Sequence, residues 1–223
     1  MNSQVPYSNK NPSDIFVCQI PNAAEVEEWI SGDTFDLKDP EQHWCAMCCV
    51  RMLLLAEDMP APSLEDLFKE ACRHGVYQQD EYIGWRGAYH KELASFINSY
   101  LPASKWLQRQ ASAHRGKKIR ATSDNKFFNL EATIRSGCYA LLSVHPDIRL
   151  DTDETPPNKR GHFVFVYGVQ VCGDETFFLL NNPAGFQSNN SQIGARVSAK
   201  RLEQVSSGDC VLIKSRFSGL LCE

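Results

Sequence analysis

The hydrophobic pattern changes period near Gly137, and that change restricts the fold more than any composition figure does. Upstream, apolar residues recur at three- and four-residue spacing, the signature of helices with one buried stripe. Downstream come β-branched and aromatic runs bounded by Gly, Asp, Asn and Pro: CYALLSV (138–144), HFVFVYGVQV (162–171), TFFLLNN (176–182), a weaker GARVSA (194–199) and CVLIKSRF (210–217). Helices first and strands second predict an α+β fold, a helical N-terminal half packed on a C-terminal antiparallel sheet with a cleft between them.

The upstream helices have readable ends. NAAEVEEWISGD (22–33) reads as a short helix with Asn22 as N-cap and Gly32 as its stop. Asp39-Pro40 is a turn opening a helix that runs to about Asp58 and ends before Pro60 and Pro62. SLEDLFKEACRHG (63–75) carries a Ser63 N-cap, Asp66 at the capping-box position and Gly75 at the end. In 87–102, Leu93, Phe96, Ile97 and Tyr100 share one helical face, and 129–137 is the last helix, closed by Gly137. The polar, proline-bearing segment 145–161 is too long for a tight turn and reads as a flexible insert.

At 223 residues one domain suffices, with residues 1–34 as an N-terminal arm plus short helix and 35–223 as the globular part. A net charge of -4, from 23 Lys and Arg against 27 Asp and Glu, gives no basic stripe, so no nucleic-acid partner is expected. The basic run HRGKKIR (114–120) reads as a solvated loop. The start MNSQVPYSNKNPSD lacks a signal peptide's charged and apolar regions, and no apolar run approaches ~18 residues, so no membrane partner is expected and the location is read as cytoplasmic, with export by a non-classical route the alternative. Nine cysteines, an odd number without a framework, suit reduced thiols.

Three of those cysteines crowd into EQHWCAMCCVRMLLLAED. Cys45 and Cys48 form a C-x-x-C near His43, but no second ligand pair exists for a structural zinc, so neither metal nor organic cofactor is expected. Cys48 and Cys49 read as small hydrophobes on a buried helix. Cys45 falls in the first turn, where unpaired N–H groups and the helix dipole would lower a thiol toward neutrality and make it a nucleophile.

A nucleophile needs a base and an orienter. His162 opens a strand directly after Gly161, whereas His145 begins a loop and His74, His90 and His114 lie on helices or in basic loops. The following strand ends in Asn181-Asn182-Pro183. A three-residue hairpin loop with Val171 opposite Glu175 brings Asn182 onto the face of His162; a two-residue loop shifts the parity and offers Asn181.

The blocks HWCAMCCVRML, GWRGAYHKELASFI, SGCYALLSV, GHFVFVYGV and FFLLNNPAG, spanning roughly 35–215, resemble those of the papain-like cysteine peptidases related to the double-glycine leader (bacteriocin-processing) peptidases. That resemblance implies a papain-like fold acting on a peptide or protein. It makes Cys45 the nucleophile, His162 the acid and base paired with it as imidazolium and thiolate, and Asn182 the ring orienter in place of the family's aspartate. Ala46 stands where the family has glycine. Asp39 holds the place of its oxyanion-hole glutamine, which leaves Gln42 as the nearest candidate beside the Cys45 backbone N–H. The reaction implied is amide hydrolysis through an acyl-enzyme. An acyl transferase of the transglutaminase or phytochelatin-synthase type and an inactive peptide-binding module are the alternatives. Trp85, with the 84–90 loop, either lines the substrate side or belongs to the core.

Overall fold

The computed structural model describes residues 5–6, 10–19, 43–82, 84–101, 111–114, 128–150, 152–185 and 190–215. The helix expected over 22–33, most of the basic run and Gln42 lie outside them. Helices, one large antiparallel sheet and a separate two-stranded hairpin make up the regular structure of the described residues. The sheet has seven strands: β1 (Val5–Pro6), β4 (Ala111–His114), β5 (Cys138–Val144), β6 (His162–Cys172), β7 (Glu175–Asn181), β8 (Ala195–Ser198) and β9 (Cys210–Lys214), in the order β4-β9-β5-β6-β7-β8, with β1 also on β6.

The division into helical and strand halves is less clean than the sequence pattern. β1 and β4 come from the first half, and a small hairpin, β2 (Gln78–Asp80) and β3 (Gly84–Arg86), stands apart from the main sheet. The N-terminal arm is not peripheral either. Val5 pairs with Val169, and in α1 (Pro12–Ile15) the Ile15 side chain is fully buried in the core.

α2 (Cys45–Ala56) is the central helix. Only Arg51 and Leu55 escape full burial, and a helix apolar almost all round belongs inside. It packs on β5 and β6, as does α5 (Phe128–Arg135). Every residue of β6 from His162 to Val169 is buried, so both faces of that strand are covered. α3 (Leu64–Arg73) starts as its sequence predicts, with the Ser63 hydroxyl accepting the Asp66 N–H at 3.1 Å. α4 is His90–Tyr100; Gly87 to Tyr89 precede it in non-helical backbone.

Two corrections concern the segments around His162. The run 194–199 is not all strand: β8 ends at Ser198, whose hydroxyl caps a further helix, α6 (Ala199–Val205), by accepting the Arg201 N–H. And the segment 145–161 is held in place by that helix. Arg201 donates to the carbonyls of Asp147 and Glu154, each at 2.7 Å, Gln204 to that of Asp153 at 2.9 Å, and Lys159 reaches back to the Glu203 carbonyl. Part of the segment winds into a 3-10 turn, Pro146–Arg149.

Candidate active site

Cys45 is the first residue of α2, and the turn before it is anchored by the Tyr77 hydroxyl donating to the His43 carbonyl at 2.9 Å. The N–H of Cys48 is taken by the Trp44 carbonyl at 2.8 Å, so from there on the donors are paired within the helix. At Cys45 the sulfur instead faces the backbone N–H groups of Phe163, Ala46 and Cys45 itself. Phe163 adjoins His162, so the packing of α2 on β6 brings the thiol to the mouth of that strand.

Asn182 reaches His162 by an unexpected route. Cys172 pairs with Glu175, so the hairpin loop is the two residues Gly173-Asp174, not three, with Gly173 at φ 60 as the first position of a type II′ turn requires. Alone, that loop would put Asn181 on the face of His162. The ladder then slips by one residue at Tyr167, between Val166 and Gly168, and Phe165 comes opposite Asn181. The bulge restores the parity that the shorter loop removed, and Asn182 meets the histidine.

His162 Nε2 lies 2.7 Å from Asn182 Oδ1, which also accepts the Ala184 N–H at 3.2 Å. An oxygen already accepting from a backbone amide makes Nε2 the protonated nitrogen and leaves Nδ1 its lone pair. Asn181 does different work: its amide donates to the Pro12 carbonyl and its oxygen accepts the Gly194 N–H, both at 2.9 Å, stapling α1 to the strand end.

The electrostatics reverse the expectation for the thiol. Cys45 is 8% exposed, and burial pushes it up to about 11, outweighing the three N–H groups that act to lower it. Burial likewise lowers the His162 imidazole to about 4; the Asn182 bond opposes this, and the charge of Arg149 adds to it. Burial thus favours the neutral form of both groups, the thiol at Cys45 and the imidazole at His162. Cys48 and Cys49 are fully buried, as their helical position predicts, and burial raises both well above the usual thiol range.

Gln42 lies outside the described residues. Sequence reasoning passed over Gln19, which is buried and anchored by its N–H to the Pro183 carbonyl at 3.1 Å, one residue beyond Asn182. Its signal was weak, because it precedes Cys45 by 26 positions in the chain. Trp85 is half-buried and packs edge-on against Phe68, their ring centroids 5.1 Å apart, in a cluster with Trp44 and Tyr77. No three His, Cys, Asp or Glu side chains among the described residues group as a metal would need, and no helix among them is long and apolar enough to cross a membrane.

No family model matches the chain, and no curated protein matches it. A solved structure, that of digestive procathepsin L 3 from the larval midgut of Tenebrio molitor, is similar at 11% identity with a TM-score of 0.43, covering 94% of this chain and 77% of that one. A likeness of that size decides nothing about chemistry.

Proposed function

We propose that this chain is a papain-like thiol hydrolase cleaving a peptide or amide bond, with Cys45 as nucleophile, His162 as base and then acid, and Asn182 as orienter. The observation that carries the reading is the 2.7 Å bond from His162 Nε2 to Asn182 Oδ1, made beside a helix-start thiol set against the Phe163 N–H. Nδ1 of His162 takes the Cys45 proton as sulfur attacks the carbonyl, and returns it to the leaving amine. Water activated by the same nitrogen then releases the acyl group. The double-glycine leader peptidases remain the family whose blocks the sequence resembles, which makes peptide leaders the first substrates to try.

Limiting iodoacetamide followed by peptide mass mapping tests the nucleophile. Cys45 should be alkylated well ahead of Cys48 and Cys49, and Cys45→Ala should remove the fast phase while Cys48→Ala keeps it. A fast label on any other cysteine would transfer support to the inactive peptide-binding module, which the burial of the Cys45 thiol otherwise favours.

In this reading the tetrahedral oxyanion is met by the Cys45 N–H and by a glutamine, for which Gln19 is our first choice and Gln42 the rival. Gln19→Ala should lower kcat on the order of 10²-fold with KM little changed and Cys45 labelling intact. An unchanged kcat would return the role to Gln42.

A further inference from the structure

Gln192 is buried, yet its Oε1 finds no hydrogen-bond partner among the described residues. An acceptor buried in that way lowers stability, so the carboxamide is a poor choice as mere filling for a core. Its other end is engaged. Nε2 donates to the Cys18 sulfur at 3.6 Å, and that thiol in turn donates to the Pro183 carbonyl at 3.6 Å. With its proton committed to Pro183, the sulfur presents lone pairs to Gln192, which is why the amide nitrogen and not the oxygen faces it.

The bond joins two segments that each carry a group of the site. On one side is the N-terminal segment, where Gln19, next to Cys18, gives its N–H to the same Pro183 carbonyl at 3.1 Å. On the other is the end of β7, where Asn182 gives its N–H to the Gln192 carbonyl at 2.8 Å while its Oδ1 holds the His162 ring. The backbone of Gln192 is closely packed. The Gly185 N–H is bonded to the Asn182 carbonyl at 3.2 Å, and a Cβ on Gly185 would lie 2.2 Å from the Ser191 carbonyl oxygen and 2.7 Å from Gln192 Cα. The turn after Asn182 is thus pressed onto the backbone that presents the carboxamide, and one side chain sets the Gln19 segment against the residue that orients the imidazole.

We propose that Gln192 is a positioning residue that sets Gln19 for the tetrahedral oxyanion through Cys18, an inference that rests on the hydrolase reading above and on Gln19 as its oxyanion donor. Gln192 acts on where Gln19 stands and not on the Cys45 thiol. Hydrogen bonds to sulfur are weak, so the effect is one of alignment. Without the bond the segment drifts, and a donor aimed at an oxyanion loses much of its value over a fraction of an ångström.

Two small reagents test this without a known substrate. Cys45 attacks the carbonyl of p-nitrophenyl acetate, passes through a tetrahedral oxyanion and expels p-nitrophenolate, leaving an acetyl thioester. With iodoacetamide the same sulfur displaces iodide and no oxyanion forms. In both the thiol proton goes to His162, so the ratio of the ester burst rate to the alkylation rate at Cys45 isolates the oxyanion. On the full chain at pH 7, with the burst of Cys45→Ala subtracted, that ratio should fall on the order of 10²-fold in Gln19→Ala and about tenfold in Gln192→Leu. The double variant should be no worse than Gln19→Ala alone. Cys18→Ala should match Gln192→Leu, and Cys18→Ser, which keeps a donor and an acceptor, should retain most of the ratio. Because Gln192→Leu also removes the unpartnered acceptor, its urea midpoint should stay near the parent's, which separates a fallen ratio from unfolding. A ratio that falls in Gln19→Ala but is unchanged in Gln192→Leu, or that falls further in the double variant, overturns this inference alone. An unchanged ratio in Gln19→Ala removes the Gln19 assignment and this with it, leaving the nucleophile in place. The absence of any Cys45-dependent burst overturns the hydrolase reading as a whole.

Discussion

A His162→Ala chain should hydrolyse amides at least about 10³-fold more slowly than the parent at pH 7, because a thiol raised to about 11 has no thiolate to offer unless a neighbour takes its proton. The pH profile of the parent follows from the same environment. The base works only as the neutral imidazole, and burial lowers that imidazole from 6.5 to about 4. Activity should therefore persist well below pH 6.5 and fall as pH drops through about 4, with no alkaline loss until the thiol ionises. Stability runs with the same sign. The unfolded chain takes up a proton on this histidine near pH 6.5 and the folded chain only near 4, so folding loses up to about 3 kcal/mol as pH falls through that window. His162→Gln should flatten this slope in urea titrations at pH 7 and pH 4.5. Ultraviolet thiolate absorbance already present at pH 5 and lost in Cys45→Ala would mark a resting imidazolium–thiolate pair and contradict the neutral one.

What was legible in the sequence was whatever a single element decides. The Ser63 cap of α3, the strand runs of β5, β6 and β7, and the depth of Cys48 and Cys49 all follow from local pattern. α6 was legible too: Ser198 caps it, and Leu202 and Val205, three apart, are its buried face. The run was absorbed into the strand before it because Val197 and Ala199 continue an apolar look. Two features were not read from the local pattern. Gly168 interrupts HFVFVYGVQV directly after Tyr167, and a lone glycine inside a strand run is a bulge signal, but the pairing of His162 with Asn182 was reached without it, from a loop length that the hairpin does not have. The Cys45 thiol was expected to be lowered because its helix position is visible in sequence; the burial that raises it comes from packing against β6 and is not.

The adjacent asparagines offer the sharpest separation of structure from chemistry. Both are buried, both sit at the end of β7, and a one-residue slip would exchange their faces. Asn181→Ala removes the partners of the Pro12 carbonyl and the Gly194 N–H, and two half-buried groups left unpaired should cost about 1–3 kcal/mol of stability. Because the His162 bond is untouched, the folded fraction should keep its kcat and its Cys45 labelling rate. Asn182→Ala frees the imidazole to turn and to carry its proton on Nδ1, the nitrogen that must be bare. It should cost on the order of 10²-fold or more in kcat, with KM changed far less. Asn182→Asp, which keeps an acceptor at the same place and adds charge, should recover much of that loss and move the acid limb of the profile upward, since a carboxylate favours the imidazolium. If Asn181→Ala is instead the variant that loses kcat while Asn182→Ala only unfolds more easily, the bulge at Tyr167 does not set the working register, and the orienter is the residue that the two-residue loop alone would have chosen.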